Sequence, residues 1–400
     1  MSNKDNKYLV PLIVMVVLFF LLGFITTMNN SMIDFLKNAF HLNDFEKQLP
    51  NTFFYGAYVF SIPIGLLINK IGYKNGVLAG LGTIVLGFAM AIPLVTYGYM
   101  PFLIAVSVFA IGIVVLQVAA NPYVNALGSP ETAASRLTLT NAMNSVATVI
   151  APIFVSMLIV NEDNDPKAVQ MPFALIGSIT LILLISMFFL KLPQIKDEEE
   201  TDKTKKYKSS AFKYPHVWLG SLAIFFYVGV ELGIPSFFSD YTDKLGFSFS
   251  SQERVDMLKF YWGGLMVGRL LGIFVLKKYS ARKILTFCSI GAPILLAVSI
   301  LIGDSFNTSA LWLYLGTGLF HSIMWPTIYN LALEDLGPHA GVASGVISTA
   351  VIGVALLTPL MGAVQSATGS VVAAISFLFI YYIYILFFAV KGSTIRTKQI

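Results

Sequence analysis

Residues 116–144, LQVAANPYVNALGSPETAASRLTLTNAMN, turn polar in an otherwise oily chain, mainly through uncharged side chains, with Glu131 and Arg136 the exceptions. Gln117, Asn121, Asn125, Asn141 and Asn144 sit in two apolar segments that flank a turn at Gly128-Ser129-Pro130. A carboxamide in hydrocarbon costs free energy unless it faces another polar group, a partner helix or a water-filled cavity. It also offers donors and acceptors without net charge, which is what a polyhydroxylated solute requires. The stretch therefore points to a membrane-embedded site for a sugar-like solute. The competing reading is structural, because amides also hold transmembrane helices together.

The rest of the chain agrees with a membrane setting. Of its 400 residues, 56% are hydrophobic and 12% charged, against about 25% charged in ordinary soluble domains. The net charge of +5 does not imply nucleic acid, since the basic residues lie in short loops between apolar spans. The single cysteine, Cys288, is inside an apolar run, so neither a disulfide nor a cysteine metal cluster is expected. The first apolar run is long enough to span and has no small-residue cleavage site after it, so it reads as a retained helix. No Walker loop, G-x-S-x-G or metal-spaced His/Cys set occurs. We therefore expect no catalytic residues, no metal, no cofactor and no nucleotide-driven pump.

Apolar spans of roughly 20 residues follow one another at 8–36, 49–69, 75–95, 99–126, 135–160, 170–191, 215–239, 254–277, 281–302, 309–334, 340–363 and 369–391. The expected fold is an all-α polytopic membrane protein with twelve transmembrane helices. Lys4, Lys7, Lys70, Lys74, Lys277, Lys278, Arg282, Lys283, Lys391, Arg396 and Lys398 fall on one side of such a plan. The positive-inside rule then places both termini in the cytoplasm. Residues 192–214, with KDEEETDKTKKYK at their centre, read as a solvated cytoplasmic linker between halves 1–191 and 215–400. The halves repeat: Asn121-Pro122, Leu127-Gly128-Ser129-Pro130 and Ala133-Ala134-Ser135 have counterparts in Trp325-Pro326, Leu336-Gly337-Pro338 and Val342-Ala343-Ser344. Two pseudo-symmetric six-helix halves place a ligand at their interface, near the middle of the bilayer.

Two such halves with the loop Gly65-x-x-x-Asn69-Lys70-x-Gly72-Tyr73-Lys74 resemble the major facilitator superfamily, although Asn69 stands where that loop usually has an acid. LQVAANPYVNALGSPETAASRL with Asn144-Ser145, FFYVGVELGIPSF (225–237) and SIMWPTIYNLAL (322–333) resemble the fucose/glucose/galactose:proton symporter family of bacteria. The resemblance runs through nearly the whole chain. It implies a monomeric inner-membrane permease for a hexose or hexose derivative, driven by a proton gradient. It also implies sugar-binding roles for Asn141 and Asn144. In the fucose symporter, carboxylates of the first and fourth helices form the protonatable pair; Asn30 and Gln117 stand at those positions here. Neither amide titrates, so the simplest proton relay is absent as written.

Carboxylates inside the spans are scarce, which makes each informative. Glu231 lies sixteen residues into the seventh span; an intramembrane acid faces a cavity or a partner, and burial penalises its charged form. We expect it to carry the coupling proton, accept a sugar hydroxyl, or both. Asp34, one turn beyond Asn30, is a second coupling candidate, with a water-exposed gate or helix end as the competing reading. Arg269, with room to snorkel or to pair with a loop acid, and Lys70 are assigned to gating. His321, mid-span, is either a hydroxyl ligand or a packing histidine. The expected sugar site thus comprises Asn30, Gln117, Asn121, Asn141, Asn144, Glu231 and His321. The expected function is secondary active sugar transport by alternating access, with membrane lipid as the other partner. A sodium-coupled or uncoupled carrier, or a carrier of another solute, remains the alternative.

Overall fold

A computed structural model of the chain describes residues 6–42, 46, 49–159, 165–190 and 210–395. Among these residues every regular element is helical: α1 (Asn6–Ser31), α2 (Ile33–Ala39), α3 (Leu49–Gly56), α4 (Ser61–Ile71), α5 (Tyr73–Leu94), α6 (Tyr99–Ala126), α7 (Ala133–Leu158), α8 (Gln170–Phe189), α9 (Pro215–Ser236), α10 (Phe238–Lys244), α11 (Ser251–Lys278), α12 (Ala281–Ile302), α13 (Asn307–His321), α14 (Met324–Leu333), α15 (Ala340–Thr349), α16 (Gly353–Thr368) and α17 (Val371–Val390). Eleven segments among the described residues are long and apolar enough to cross a bilayer. Large apolar side chains such as Phe188, Phe274, Leu301 and Ile383 are exposed, as suits a surface covered by hydrocarbon rather than water.

The tenth expected span, 309–334, is present but broken, which is why it escapes that count. Pro326 has no N–H, so the Ser322 carbonyl four residues earlier loses its intrahelical donor. The helix stops at His321 and resumes at Met324. Substitute donors take both loosened carbonyls: Tyr227 Oη donates to His321 O at 3.2 Å and Arg269 Nε to Ser322 O at 3.1 Å. Pro122 acts similarly in α6, freeing Val118 O, to which Ser344 Oγ of α15 donates at 2.9 Å. The repeated Pro positions in the sequence thus mark repeated places where a neighbouring helix completes a backbone bond.

The chain forms two compact units that cut across the expected boundaries. Unit 1 comprises Met1–Gly128, Met143–Lys205 and Gly337–Thr349; unit 2 comprises Ser129–Ala142, Lys206–Leu336 and Ala350–Ile400. Each unit therefore includes a short piece from the opposite half of the sequence. Most of the expected linker, residues 192–209, lies outside the described residues.

In unit 1, α15 lies directly on α4. A Cβ added at Gly65 would meet Gly341 O at 2.7 Å, and one at Gly345 would meet Ser61 O at 2.4 Å. Backbone approach this close requires glycine, the small-residue packing favoured between membrane helices. Phe88, Phe109 and Phe173 join α5, α6 and α8 in one aromatic cluster.

In unit 2, α11 begins with a capping box in which Ser250 and Glu253 satisfy each other's backbone N–H groups. Arg254 then grips Asp243 through both carboxylate oxygens, at 2.6 and 3.0 Å. That bidentate contact holds the Asp243 carboxyl below its ordinary range. Further along α11, Ser135 Oγ of the 129–142 piece donates to Ile273 O at 2.7 Å. These ties fix the axial position of α11 and hence of Arg269.

Candidate functional site

In unit 1 the amides are arranged along α6 and the later part of α7. The hydroxyl of Tyr58, itself buried, donates to Gln117 Oε1 at 3.0 Å. Asn121 is 3% exposed, and its Oδ1 meets no donor among the described residues. A buried acceptor left unmatched costs about 1–3 kcal/mol, and a hydroxyl or a water is what would satisfy it. Asn144 donates through Nδ2 to Phe19 O at 3.1 Å, joining α7 to α1. Asn30 is exposed near the end of α1, whereas its neighbour Asn29 is buried with Nδ2 meeting no acceptor among the described residues. The side chain of Asp34, in α2, lies outside the described residues.

In unit 2 the titratable groups meet. Arg269 is 9% exposed and reaches acceptors on several elements. Its Nη2 lies 3.3 Å from Glu231 Oε1, its Nε bonds Ser322 O, and its Nη1 lies 3.5 Å from the backbone oxygen of Asn141. Tyr227, one turn before Glu231, sets its hydroxyl against the same carboxylate. The Asn141 carboxamide donates to Leu137 O of its own helix at 2.8 Å.

Two sequence assignments change here, those of Arg269 and His321. Arg269 neither snorkels nor pairs with a loop acid: its partner is Glu231, because α11 presents it inward, one turn from the broken tenth span. His321 is fully buried with both ring nitrogens engaged, Nδ1 by Tyr261 Oη at 2.8 Å and Nε2 by Tyr382 Oη at 2.5 Å. Since Tyr261 Oη also donates to Glu231 O at 2.8 Å, its one hydrogen is taken. Nδ1 must then carry the proton and Nε2 must accept from Tyr382. This is a neutral, satisfied histidine that braces α9, α11, α13 and α17, not one that presents a nitrogen to a sugar. Lys70 is exposed at the end of α4, and nothing among the described residues ties it to a gate.

The brace makes a prediction. Tyr382→Phe removes the only donor to His321 Nε2 among the described residues and leaves a buried acceptor unmatched, at a cost of about 1–3 kcal/mol. The midpoint of thermal unfolding in detergent should fall accordingly. An unchanged midpoint would mean that the brace contributes nothing.

Sequence reasoning missed the Arg269–Ser322–Asn141 tie, Tyr261 and Tyr382. One signal was available: a proline four residues after Ser322 announces a carbonyl in need of a donor. Which side chain supplies it is a matter of tertiary packing.

A family model described as Major Facilitator Superfamily matches residues 15–359. The chain is 38% identical over 401 residues to the glucose/galactose transporter of Brucella abortus biovar 1 (strain 9-941), covering 98% of this chain and 96% of that protein. It is 26% identical to the L-fucose-proton symporter of Escherichia coli (strain K12) over 400 residues, covering 93% and 91% respectively. The crystal structure of the transporter FucP in the outward conformation superposes with a TM-score of 0.83 at 24% identity, covering 96% of this chain and 98% of that one.

Proposed function

The chain belongs to the Major Facilitator Superfamily, and on that premise we propose that it is a secondary active carrier of a hexose of the glucose or galactose type, moved together with a proton. The observation that carries this reading is the likeness to a glucose/galactose transporter over nearly the whole chain. The site chemistry agrees with it. Gln117, Asn121, Asn141 and Asn144 supply uncharged donors and acceptors suited to hydroxyls. Glu231, a half-buried intramembrane acid paired with Arg269, supplies a group able to exchange a proton.

The multi-pass chain sits in the inner membrane with both termini in the cytoplasm, following the placement of its lysines and arginines. It works as a monomer and as a carrier rather than an enzyme, with no resident cofactor and the proton as coupling ion. The fucose symporter's two carboxylate positions are the amides Asn30 and Gln117 here, so the coupling burden falls on Glu231.

The test is uptake of labelled glucose, galactose, fucose and N-acetylglucosamine into proteoliposomes, with proton and sodium gradients imposed in turn. Concentration of glucose or galactose under an inward proton gradient, and not under a sodium gradient, is the expected result. Accumulation driven by sodium alone, or equilibration only, would overturn proton coupling; no uptake of any hexose would overturn the substrate class.

A further inference from the structure

We propose that Arg269 is the positioning residue through which the charge of Glu231 governs the hold of α11 on the 129–142 segment. This rests on the reading of Glu231 as proton carrier and assigns what its protonation does mechanically.

The geometry is that of a three-way tie. One guanidinium touches a carboxylate on α9 (Glu231 Oε1), a proline-freed carbonyl between α13 and α14 (Ser322 O) and a backbone oxygen on α7 (Asn141 O). Each contact uses a different nitrogen, Nη2, Nε and Nη1 respectively, so the fork is oriented by all three at once. Two of the acceptors are neutral dipoles and the third carries charge. The ion pair is therefore the strongest of the three and sets the angle of the fork. The Asn141 contact, at 3.5 Å, is the weakest and the first to be lost if the fork turns.

Titratable side chains surround Glu231 on several helices. Tyr227 lies on its own helix, with Tyr261 and Arg269 on α11. His321 on α13 and Tyr382 on α17 stand behind Tyr261. Among the described residues Arg269 is the positive charge that acts on Glu231, since the His321 network closes on the neutral ring. A proton arriving on a Glu231 oxygen cancels the ion pair and leaves Arg269 charged. The guanidinium then reorients towards its remaining acceptors, Ser322 O and water. The link to Asn141 loosens, and with it a contact that ties Arg269 to a segment from the first half of the sequence. Asn141 is itself one of the amides proposed to hold the sugar, so loosening there acts on a sugar ligand directly.

Lysine keeps the charge but has one nitrogen, which cannot span three acceptors on three elements. Arg269→Lys should therefore retain sugar counterflow while accumulation under a proton gradient falls about tenfold, a typical size for a coupling term. The pH dependence of counterflow expected of the wild type should flatten in this variant. A second readout is thiol labelling of Asn141→Cys in a Cys288→Ser background. That variant keeps the backbone oxygen that Arg269 uses. Labelling should quicken as the pH falls with Arg269 present, and become pH-independent with Arg269→Lys. If Arg269→Lys does not fold, Pro326→Ala carries the test instead: it returns an N–H to Ser322 O, competes with Arg269 Nε, and should shift the pH profile while leaving the ion pair intact. Wild-type accumulation and pH profile in whichever variant folds, with Glu231 shown to be essential, would overturn the role given to Arg269 alone. Wild-type accumulation in Glu231→Gln would instead remove the proton reading on which it rests.

Discussion

Glu231→Gln is expected to reduce uphill sugar accumulation to simple equilibration while counterflow exchange stays measurable. The amide is nearly the same size, keeps an oxygen for Arg269 Nη2, and leaves the Tyr227, Tyr261 and His321 contacts in place. What it loses is the ability to gain and lose a proton. A carrier so altered still binds and releases solute on both sides, but a pH gradient no longer biases the cycle. Glutamine beside a buried arginine leaves that cation without its counter-ion, so a lower yield of folded protein accompanies the effect. Counterflow normalised to folded protein separates the two. Accumulation equal to wild type in vesicles with an imposed proton gradient would take Glu231 out of the coupling step.

The second large effect is a gain. Asn30→Asp should raise proton-driven uptake several-fold and increase the number of protons moved per sugar. Asn30 is the penultimate residue of α1 and is exposed, so the new acid can reach water and exchange its proton. The C-terminal end of a helix also disfavours negative charge, which favours the protonated acid at that position. The side chain change adds no bulk. Parallel measurement of sugar and proton fluxes decides the matter: an unchanged ratio would show that position 30 takes no part in coupling.

Much of the fold was legible because a bilayer imposes a length and a polarity on every element. Helices α5, α6, α8, α9, α12 and α17 fall close to their expected spans, each bounded by glycine, proline or charge. The interruptions were less legible. Pro326 is visible in the sequence, but Pro93, Pro235 and Pro293 sit within continuous helices. Neighbours supply donors to released carbonyls in broken and unbroken spans alike, Arg269 to Ser322 O at the break and Tyr261 to Glu231 O in continuous α9, so a proline alone does not announce a break. The compact units were not legible at all. Residues 129–142 and 337–349 belong to spans that look like ordinary members of their halves, and only packing shows that each groups with the other unit.

The candidate site divides in the same way. Residue type was enough to single out Gln117, Asn121, Glu231 and Arg269, because polar groups among apolar ones must have a reason. Partnership was not. Nothing local says that Arg269 looks towards Glu231 and not towards solvent, or that His321 is closed on both sides by tyrosines. Those outcomes depend on which faces α11, α13 and α17 turn to one another.

Ser344 and Val118 carry a consequence for hydration. An oxygen stripped of its own helix's amide cannot stand bare in oil, so whenever α15 withdraws from α6 a water molecule has to follow it in. Wetting and separation at that seam are then one event, and hydrogen–deuterium exchange along residues 118–122 should report the traffic as faithfully as solute flux does.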